Sequence, residues 1–205
     1  MKKLVGKIIL AIILSFMSCT VQASTTVDPA VAFVGKLGDT ALMSLTKKDF
    51  TRGEREKRVR EILKNNFNVN TIARFAMGVY WRAATKVQQD EYLNLFEDMI
   101  VQTYTTRFED YSGQKLVVGA AVKSGKRDTL VSSQIVQKDG PPINIEWRVR
   151  SKKGDLRIID VVVEGISMSV TQRSDFSAVI QGSGGDINAL LTILRERKKE
   201  AAQKT

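Results

Sequence analysis

The chain has 205 residues, and its 32 lysine and arginine residues outnumber its 22 aspartate and glutamate residues, which gives a net charge of +10. Histidine is absent, so the commonest general base and metal ligand is missing, and Ser-His-Asp triads and zinc-histidine sites are excluded. The surplus of positive charge either suits an anionic partner, such as nucleic acid, lipid head groups or an acidic protein surface, or serves solubility alone.

The N-terminus has the pattern of a secretory signal peptide. Basic residues precede an uncharged apolar run from Ile8 to Met17, and Val21-Gln22-Ala23 supplies the small residues that a signal peptidase recognises. We therefore expect residues 1–23 to be cleaved on export, which makes nucleic acid the least attractive partner. We expect a single domain with a helical subdomain over residues 24–197 and a charged, flexible tail over 198–205.

Two alternatives for the N-terminus stay open. The apolar run is about ten residues long, whereas a membrane-spanning helix needs roughly 20, so a retained anchor is the weaker interpretation. Cys19 raises the possibility of a lipoprotein, but Phe16-Met17-Ser18 before it is a poor match for lipoprotein cleavage. If cleavage follows Ala23, the mature chain has no cysteine, and its fold depends on a hydrophobic core without disulfides.

Helical periodicity and capping motifs predict four helices before any strand. Asp28-Pro29 places a capping side chain before a proline at the first helical position. Thr51-Arg52-Gly53-Glu54 is a capping box for the second helix, and a short helix covers about Asn70 to Met77. The longest helix runs from about Lys86 to Glu109. Apolar and aromatic residues lie along one broad face of it and just beyond its end: Leu95, Phe96, Met99, Ile100, Tyr104, Phe108 and Tyr111.

Four β-prone segments joined by glycine-containing turns predict an antiparallel meander. They cover residues 115–122, 129–137 and 143–150, and a stretch from Leu156 to Val170. The last is longer than a usual strand, and we expect it to bend at Gly165 and continue.

Two helices are predicted after the strands, one capped by Ser174 or Asp175 and one capped by Asp186. Helices on one side of a curved antiparallel meander give an α+β fold. A sheet of this kind, wrapped around the long helix, can enclose a cone-shaped pocket.

The residues offer little for catalysis. Asp160 and Glu164 share a strand face, where a carboxylate beside apolar surface can act as a base, but pairing with an arginine is the favoured interpretation. The glycine-rich segment 182–185 suits a linker better than a phosphate site. The guanidinium fork of arginine matches phosphate, and five arginines flank aromatic or apolar segments and are candidates for the rim of a pocket: Arg82, Arg107, Arg148, Arg150 and Arg173.

Two stretches are more specific than composition. One is residues 75–82 (FAMGVYWR), followed by the long helix and YSGQ at 111–114; the other is residues 160–170 (DVVVEGISMSV) with RSDF at 173–176. Together they resemble the MlaC family, also known as the toluene-tolerance auxiliary component of an ABC transport system. The resemblance extends from about Pro29 to Arg197.

The resemblance implies a monomeric periplasmic carrier without cofactor, metal or enzymatic activity. It implies that phospholipid passes between an outer-membrane lipoprotein complex and an inner-membrane ABC transporter complex with an MCE domain, a task linked to outer-membrane lipid asymmetry. The implied fold is an NTF2-like cone with a helical subdomain, with acyl chains in the apolar interior and the head group near solvent. A relative in the family accompanies hopanoid biosynthesis, so a hopanoid or other lipid stays open as the ligand.

The sequence also departs from the family pattern. Several members have tryptophan where this chain has Leu156, and many have an Asn-Tyr pair where it has Thr171-Gln172. The second difference leaves the details of the pocket mouth open.

A lipid carrier needs a dry cavity, because burial of a methylene gains about 0.8 kcal/mol and a diacyl lipid has roughly 30 of them. The side chains predicted to line this cavity are Phe75, Met77, Trp81, Tyr104, Phe108, Trp147, Val162, Ile166, Met168, Val170 and Phe176. Two other functions remain: an NTF2-like isomerase or dehydratase that uses Asp160 with a nearby tyrosine, and a structural periplasmic adaptor without a cavity.

Overall fold

The computed structural model describes residues 27–47, 49–109, 111 and 113–203, so the predicted signal peptide lies outside the described residues. The helices are α1 (Pro29–Leu45), α2 (Arg52–Asn66), α3 (Val69–Met77), α4 (Tyr80–Ala83), α5 (Lys86–Glu109), α6 (Met168–Gly182) and α7 (Ile187–Ala202). The strands are β1 (Lys115–Ser124), β2 (Asp128–Val136), β3 (Ile143–Lys152), β4 (Asp155–Val163) and β5 (Ile166–Ser167).

The capping signals in the sequence set where the helices begin. Asp28 accepts a hydrogen bond from the Ala30 amide, with Pro29 at the first position of α1. Thr51 and Glu54 form both halves of the predicted capping box at the start of α2. These bonds satisfy amide groups that have no partner within a helix, which is why the predicted and observed starts agree.

The strands form one antiparallel sheet in the order β1-β2-β3-β4-β5, which confirms the predicted α+β meander and adds a fifth strand. Cross-strand register sorts the side chains onto two faces. Val131 lies opposite Trp147 on the face that packs against α1, here called the helix-facing side. Ser132 lies opposite Glu146 on the other face, here called the polar side. This alternation is typical of a sheet with only one face in the core.

Helix α1, and not the long helix α5, lies on the sheet. Val34 and Leu37 of α1 are buried against strand side chains. The two elements are so close at Gly38 that an added Cβ would lie 2.6 Å from Leu116 Cδ2 on β1. Helix α5 packs on α2, α3 and α7. The broad apolar face of α5 is therefore explained by contacts with several helices, and the expectation that the sheet wraps around α5 was wrong.

The chain after β4 also differs from the prediction. It turns back at Glu164 and Gly165, which both have positive φ angles, and β5 pairs antiparallel with β4. Ser167 then caps α6, so the helix begins several residues before the predicted caps at Ser174 or Asp175. The β-prone composition of residues 166–170 concealed this start, because side-chain hydrogen bonds of Ser167 outweigh the local strand preference.

Buried apolar side chains form three clusters. The helical cluster joins α3, α5, α6 and α7 and includes Met77, Tyr92, Phe96, Phe176, Ile180, Leu190, Leu191 and Leu194. The sheet cluster joins α1 to the sheet and includes Val34, Leu37, Val131, Val149 and Ile158. The junction cluster joins the end of α1 to α2 and α5 and includes Leu45, Val59, Leu63 and Val101.

The three clusters are continuous. Ile62 and Phe67 pack against both the sheet and junction clusters, and Val69 and Ile100 pack against both the junction and helical clusters. An apolar interior therefore extends from the sheet into the helical part of the molecule.

The C-terminal helix is longer than the sequence predicted. Helix α7 continues to Ala202, and Lys198 lies 2.7 Å from Asp98 on α5. This ion pair helps to explain why the charged segment is helical rather than frayed. Over the described residues, no helix is long and apolar enough to cross a membrane.

Candidate functional site

The helix-facing side of the sheet ends in apolar side chains that lie outside all three clusters. Strand register aligns them in two neighbouring rows, one across β1, β2 and β3 and one across β3, β4 and β5. We call this set the apolar sheet end: Leu116, Ile135, Ile143, Ile145, Val163 and Ile166. Ile145 is only 7% exposed and Ile166 is 59% exposed, and the other members are half-buried. The set therefore extends from the interior of the protein to its surface.

Polar groups beside the apolar sheet end are satisfied within the protein. Ser133 is buried opposite Ile145, and its hydroxyl accepts a hydrogen bond from Trp147 Nε1 at 2.8 Å. The same hydroxyl lies 3.5 Å from the Ile145 carbonyl oxygen. A buried hydroxyl without a partner would disfavour hydrocarbon contact, and this pairing removes that cost.

Three of the predicted lining residues lie in or near the interior between the sheet and the helices. Trp147 packs on the sheet cluster, while Tyr104 and Phe108, near the end of α5, pack on the junction cluster. Burial raises the pKa of Tyr104 above its ordinary value, although the charge of Arg107 opposes this effect. These side chains are half-buried, which leaves part of their surface available to a neighbour.

Met77, Trp81 and Phe176 instead belong to the helical cluster. Met77 and Phe176 are 0% and 3% exposed, and they pack against other protein side chains. The Phe176 ring makes edge-on contacts with Tyr92 and Phe96 at centroid distances of 6.0 and 6.2 Å. The structure does not bring this group together with the apolar sheet end.

Val162 lies on the polar side of the sheet. It lines a shallow cleft of about 570 Å³ with Ser132, Gln134, Asn144 and Glu146. Strand register pairs Val162 with Glu146, which places it on the opposite face of the sheet from the predicted lining residue Trp147.

Arg148 and Arg150 also lie on the polar side, where they neutralise Asp128. Arg150 donates two hydrogen bonds to the Asp128 carboxylate at 2.7 and 2.9 Å, and Arg148 Nη1 lies 3.7 Å from it. The bonds from Arg150 hold the pKa of Asp128 below its ordinary value. These two arginines are thus engaged with a carboxylate.

Four predicted lining residues are surface-exposed, and they lie on α3, on β5 and in the first turn of α6. Phe75 is 41% exposed, Met168 is 38%, Val170 is 52% and Ile166 is 59%. Exposed apolar groups of this kind often mark a contact surface.

Arg82 and Arg173 meet at a small surface cleft, together with Arg74. The three side chains line a volume of about 280 Å³ with Phe75, Gly78 and Val79. We call this feature the arginine cleft. The sequence analysis did not identify Arg74. The available signal was its position one helical turn before Gly78 on α3. Arg107 lies elsewhere, exposed in the last turn of α5.

The carboxylates considered for catalysis have structural partners, but these are not the arginines that the sequence favoured. Asp160 accepts hydrogen bonds from Ser167 Oγ at 2.6 Å and from the Ser169 amide at 3.1 Å, which fixes the start of α6. Glu164, in the β4–β5 turn, accepts a hydrogen bond from the backbone N–H of Asn144 on β3. Over the part of the chain that the structure describes, no group of three or more carboxylate, histidine or cysteine side chains could hold a metal ion.

The glycine-rich segment 182–185 links α6 to α7. Gly185 N donates to the Ile180 carbonyl at 2.8 Å, and Asp186 caps the next helix by accepting from the Asn188 amide. The glycines therefore form a helix-ending turn, as the sequence favoured.

Comparison with known proteins gives concordant matches. The chain is 23% identical over 153 residues to an intermembrane phospholipid transport system binding protein of Haemophilus influenzae, covering 71% of this chain and 69% of that protein. It is 22% identical to the toluene tolerance protein ttg2D of Pseudomonas putida over 53% of this chain, and spans about half (51%) of that protein.

A solved structure has the same fold. It is a phospholipid-binding protein of Ralstonia solanacearum in complex with a phospholipid, with a TM-score of 0.73 and 23% sequence identity. The likeness covers 84% of this chain and 98% of the Ralstonia chain.

A family model matches most of the chain. The model describes the MlaC protein and matches residues 36–196, from within α1 to within α7. The matched range includes the apolar sheet end, the arginine cleft, the helical and junction clusters, and the sheet cluster from Leu37 onward. The chain therefore belongs to the MlaC family.

Proposed function

We propose that this chain is a periplasmic phospholipid carrier that catalyses no reaction. The observation that carries the proposal is the apolar sheet end, a continuous set of hydrocarbon side chains on the helix-facing side that no buried cluster of the protein uses. Family membership and the phospholipid named for relatives support the choice of ligand over a hopanoid.

The energetics of lipid transfer explain why a carrier needs such a surface. Each methylene gains about 0.8 kcal/mol on leaving water, so two acyl chains with roughly 30 methylenes gain on the order of 20 kcal/mol. Acyl chains lying against Ile135, Ile143 and Val163 would replace water on half-buried side chains. The acyl chains and the side chains that they cover would then both leave water, and binding would not require a polar group deep in the site.

The interior can continue this surface into the molecule. Trp147 lies next to the apolar sheet end, and the half-buried rings of Tyr104 and Phe108 lie on the junction cluster. Thr105 lies on α5 in the same region. Its hydroxyl is fully buried and has no hydrogen-bond partner within the described chain. An unpaired buried hydroxyl costs stability, and we infer that an acyl chain enters the interior at this end of α5.

The carrier would act between membranes. In the proposed scheme it is exported by its N-terminal signal, exchanges lipid with an outer-membrane lipoprotein complex, and exchanges lipid again with an MCE-domain ABC transporter complex in the inner membrane. Its surplus of basic residues suits such anionic surroundings.

A matched pair of variants tests the proposal. Ile143→Asn places an amide within the apolar sheet end, whereas Val122→Asn makes a similar change at a position that is 64% exposed on the polar side. Each protein is incubated with phosphatidylglycerol vesicles and separated from them by size exclusion, and retained lipid phosphorus is measured per protein. Circular dichroism checks that each variant is folded.

The wild type and Val122→Asn should retain lipid, and Ile143→Asn should lose about tenfold in retention, because a polar group replaces a hydrocarbon contact. Equal retention by the two folded variants would contradict the proposed site. No retention by the folded wild type would contradict the proposed function.

A further inference from the structure

The arginine cleft concentrates positive charge without carboxylate partners. Among the residues that the structure describes, Arg74, Arg82 and Arg173 make no ion pair with an acidic side chain, whereas Arg60, Arg150 and Arg195 each do. Side chains that line a cleft of about 280 Å³ are close enough for their like charges to repel. An anion bound between them would relieve that repulsion.

Packing holds Arg173 in place. Its guanidinium lies 5.3 Å from the centroid of the Phe75 ring, and its Nε lies 3.0 Å from the position that a Cβ on Gly78 would occupy. Gly78 has a φ of +61° and ends α3, so the absence of a side chain serves both the turn and the approach of Arg173. A fixed guanidinium loses less freedom when it binds a phosphate than a mobile one does.

Arg74 is stacked in a similar way, 4.9 Å from the Trp81 ring centroid. Its position in the last turn of α3, where a cation is favourable, accounts for part of its role. That explanation does not extend to Arg82 and Arg173, which belong to other helices. The convergence of three elements on one cleft therefore needs a separate reason.

The cleft also contains exposed hydrocarbon, which narrows the class of anion. Phe75 is 41% exposed and Val79 is 59% exposed, and both line the cleft with the arginines. Val170, 52% exposed, lies one turn before Arg173 on α6. A purely hydrophilic anion would leave these apolar groups in water, whereas an amphiphilic phosphate ester would cover them.

The cleft lies within reach of the apolar sheet end. Ile166 is the last member of that set, and α6 begins two residues later at Met168. Arg173 is five residues further along the helix, about 7.5 Å along its axis. One leaflet of a bilayer has acyl chains about 15 Å deep, so a single lipid can span from the cleft to the sheet.

We propose that Arg74, Arg82 and Arg173 form a phosphate site that holds the phosphodiester of the carried lipid. This inference rests on the proposed carrier function and adds the residues that recognise the head group. The same chemistry would also accept free phosphate, and the two sources are separated by experiment.

The main test compares two lipids with identical acyl chains, phosphatidylglycerol and diacylglycerol. The full-length mature protein, the double variant Arg82→Gln/Arg173→Gln and the control Lys126→Gln are each loaded from vesicles that contain one of the two lipids. Lys126 lies in the exposed β1–β2 turn and does not line the cleft, so the control removes a positive charge from outside the proposed site.

The double variant should retain about tenfold less phosphatidylglycerol than the wild type and the same amount of diacylglycerol, because only the charge-assisted bonds to phosphate are removed. Lys126→Gln should retain both lipids as the wild type does, and Arg173→Lys should fall between the two, since it keeps the charge but loses the fork. Equal phosphatidylglycerol retention by the double variant and the wild type would overturn the phosphate site.

A second arm keeps the test valid if no lipid is retained at all. Inorganic phosphate is titrated into the wild-type protein while the amide signals of Phe75, Gly78 and Val79 are followed by NMR. Saturable shifts that disappear in the double variant would identify the cleft as a site for free phosphate, and the carrier function alone would then fail. No shifts and no lipid retention would overturn both proposals.

Discussion

Tyr92 is the centre of the helical cluster, and replacing it tests the packing of that cluster. Its side chain is 0% exposed, and its hydroxyl donates to the Ala73 carbonyl oxygen at 2.8 Å. Its ring lies 5.7 Å from Phe96 and 6.0 Å from Phe176, centroid to centroid. One side chain therefore combines a buried hydrogen bond with an aromatic core.

Two substitutions separate these contributions. Tyr92→Phe keeps the ring and loses one hydrogen bond, while the Ala73 carbonyl keeps its regular helical partner, so the free energy of unfolding should fall by about 1 kcal/mol. Tyr92→Ala also removes the ring and leaves a cavity, and should cost about 3–5 kcal/mol. For a domain of this size these losses correspond to falls in Tm of about 2–4 °C and about 6–20 °C.

The assay is thermal and urea unfolding followed by circular dichroism, on samples of matched lipid content. Tyr80→Phe is the control, because Tyr80 is half-buried and its hydroxyl makes no hydrogen bond within the described part of the chain. It should change stability by less than about 0.5 kcal/mol. A Tyr92→Phe variant as stable as the control, or a Tyr92→Ala variant that loses less than about 1 kcal/mol, would refute the assignment of Tyr92 to a tightly packed core.

Three further perturbations probe the other parts of the structure. Asp160→Ala should lower stability by about 1–2 kcal/mol in urea unfolding, because α6 loses the carboxylate that accepts from Ser167 and Ser169; an unchanged midpoint would contradict that role. Gly38→Val should cost about 1–3 kcal/mol because the added side chain would displace the Leu116 side chain from its place against α1. Gly35→Ala, which meets no atom within 4 Å, should be neutral or slightly stabilising, and similar effects of the two changes would contradict the close approach of α1 and β1. Burial acts to raise the pKa of Asp98, but hydrogen bonds from Lys198 and Arg60 outweigh it and hold the pKa below its ordinary value, as Arg150 does for Asp128. A carboxylate with a lowered pKa stabilises the folded state above its unfolded pKa of about 4. The free energy of unfolding should therefore fall as the pH is lowered through and below that value, and the fall should be less steep in Asp98→Asn. An equally steep loss in the variant would contradict the contribution of Asp98.

Local signals in the sequence predicted the helices well. The capping residues Asp28, Thr51 and Asp186 act within a few residues, and their hydrogen bonds form as expected. The antiparallel meander was predicted from short turns, because strands joined by a short turn pair with each other as a hairpin. In these segments local preference and the final fold agree.

The arrangement of these elements depended on information that local patterns do not contain. The apolar face of α5 is consistent with packing on a sheet or on other helices, and only the tertiary structure shows that α2, α3 and α7 cover it while α1 covers the sheet. The start of α6 was missed because it depends on Asp160, which is nine residues before Ser169 in the chain and reaches it only after the β4–β5 turn.

The candidate site was predicted in part. Arg82 and Arg173 were identified from the suitability of arginine for phosphate, and the structure brings them together with Arg74. The apolar sheet end was missed beyond Ile166, because the sequence fixes the alternation within a strand but not which residues of different strands lie opposite each other. Val162 was assigned to the lining although strand parity places it on the polar side.

The central claim is that the apolar sheet end and the adjoining interior enclose the acyl chains of a phospholipid. Native mass spectrometry of the mature protein, purified without detergent, tests it most directly, with the bound molecule released and fragmented in the same experiment. We expect a folded protein that carries a mass increment whose fragments contain both a phosphate head group and fatty acids. A folded protein that carries no such increment, even after incubation with phospholipid vesicles, would contradict the claim.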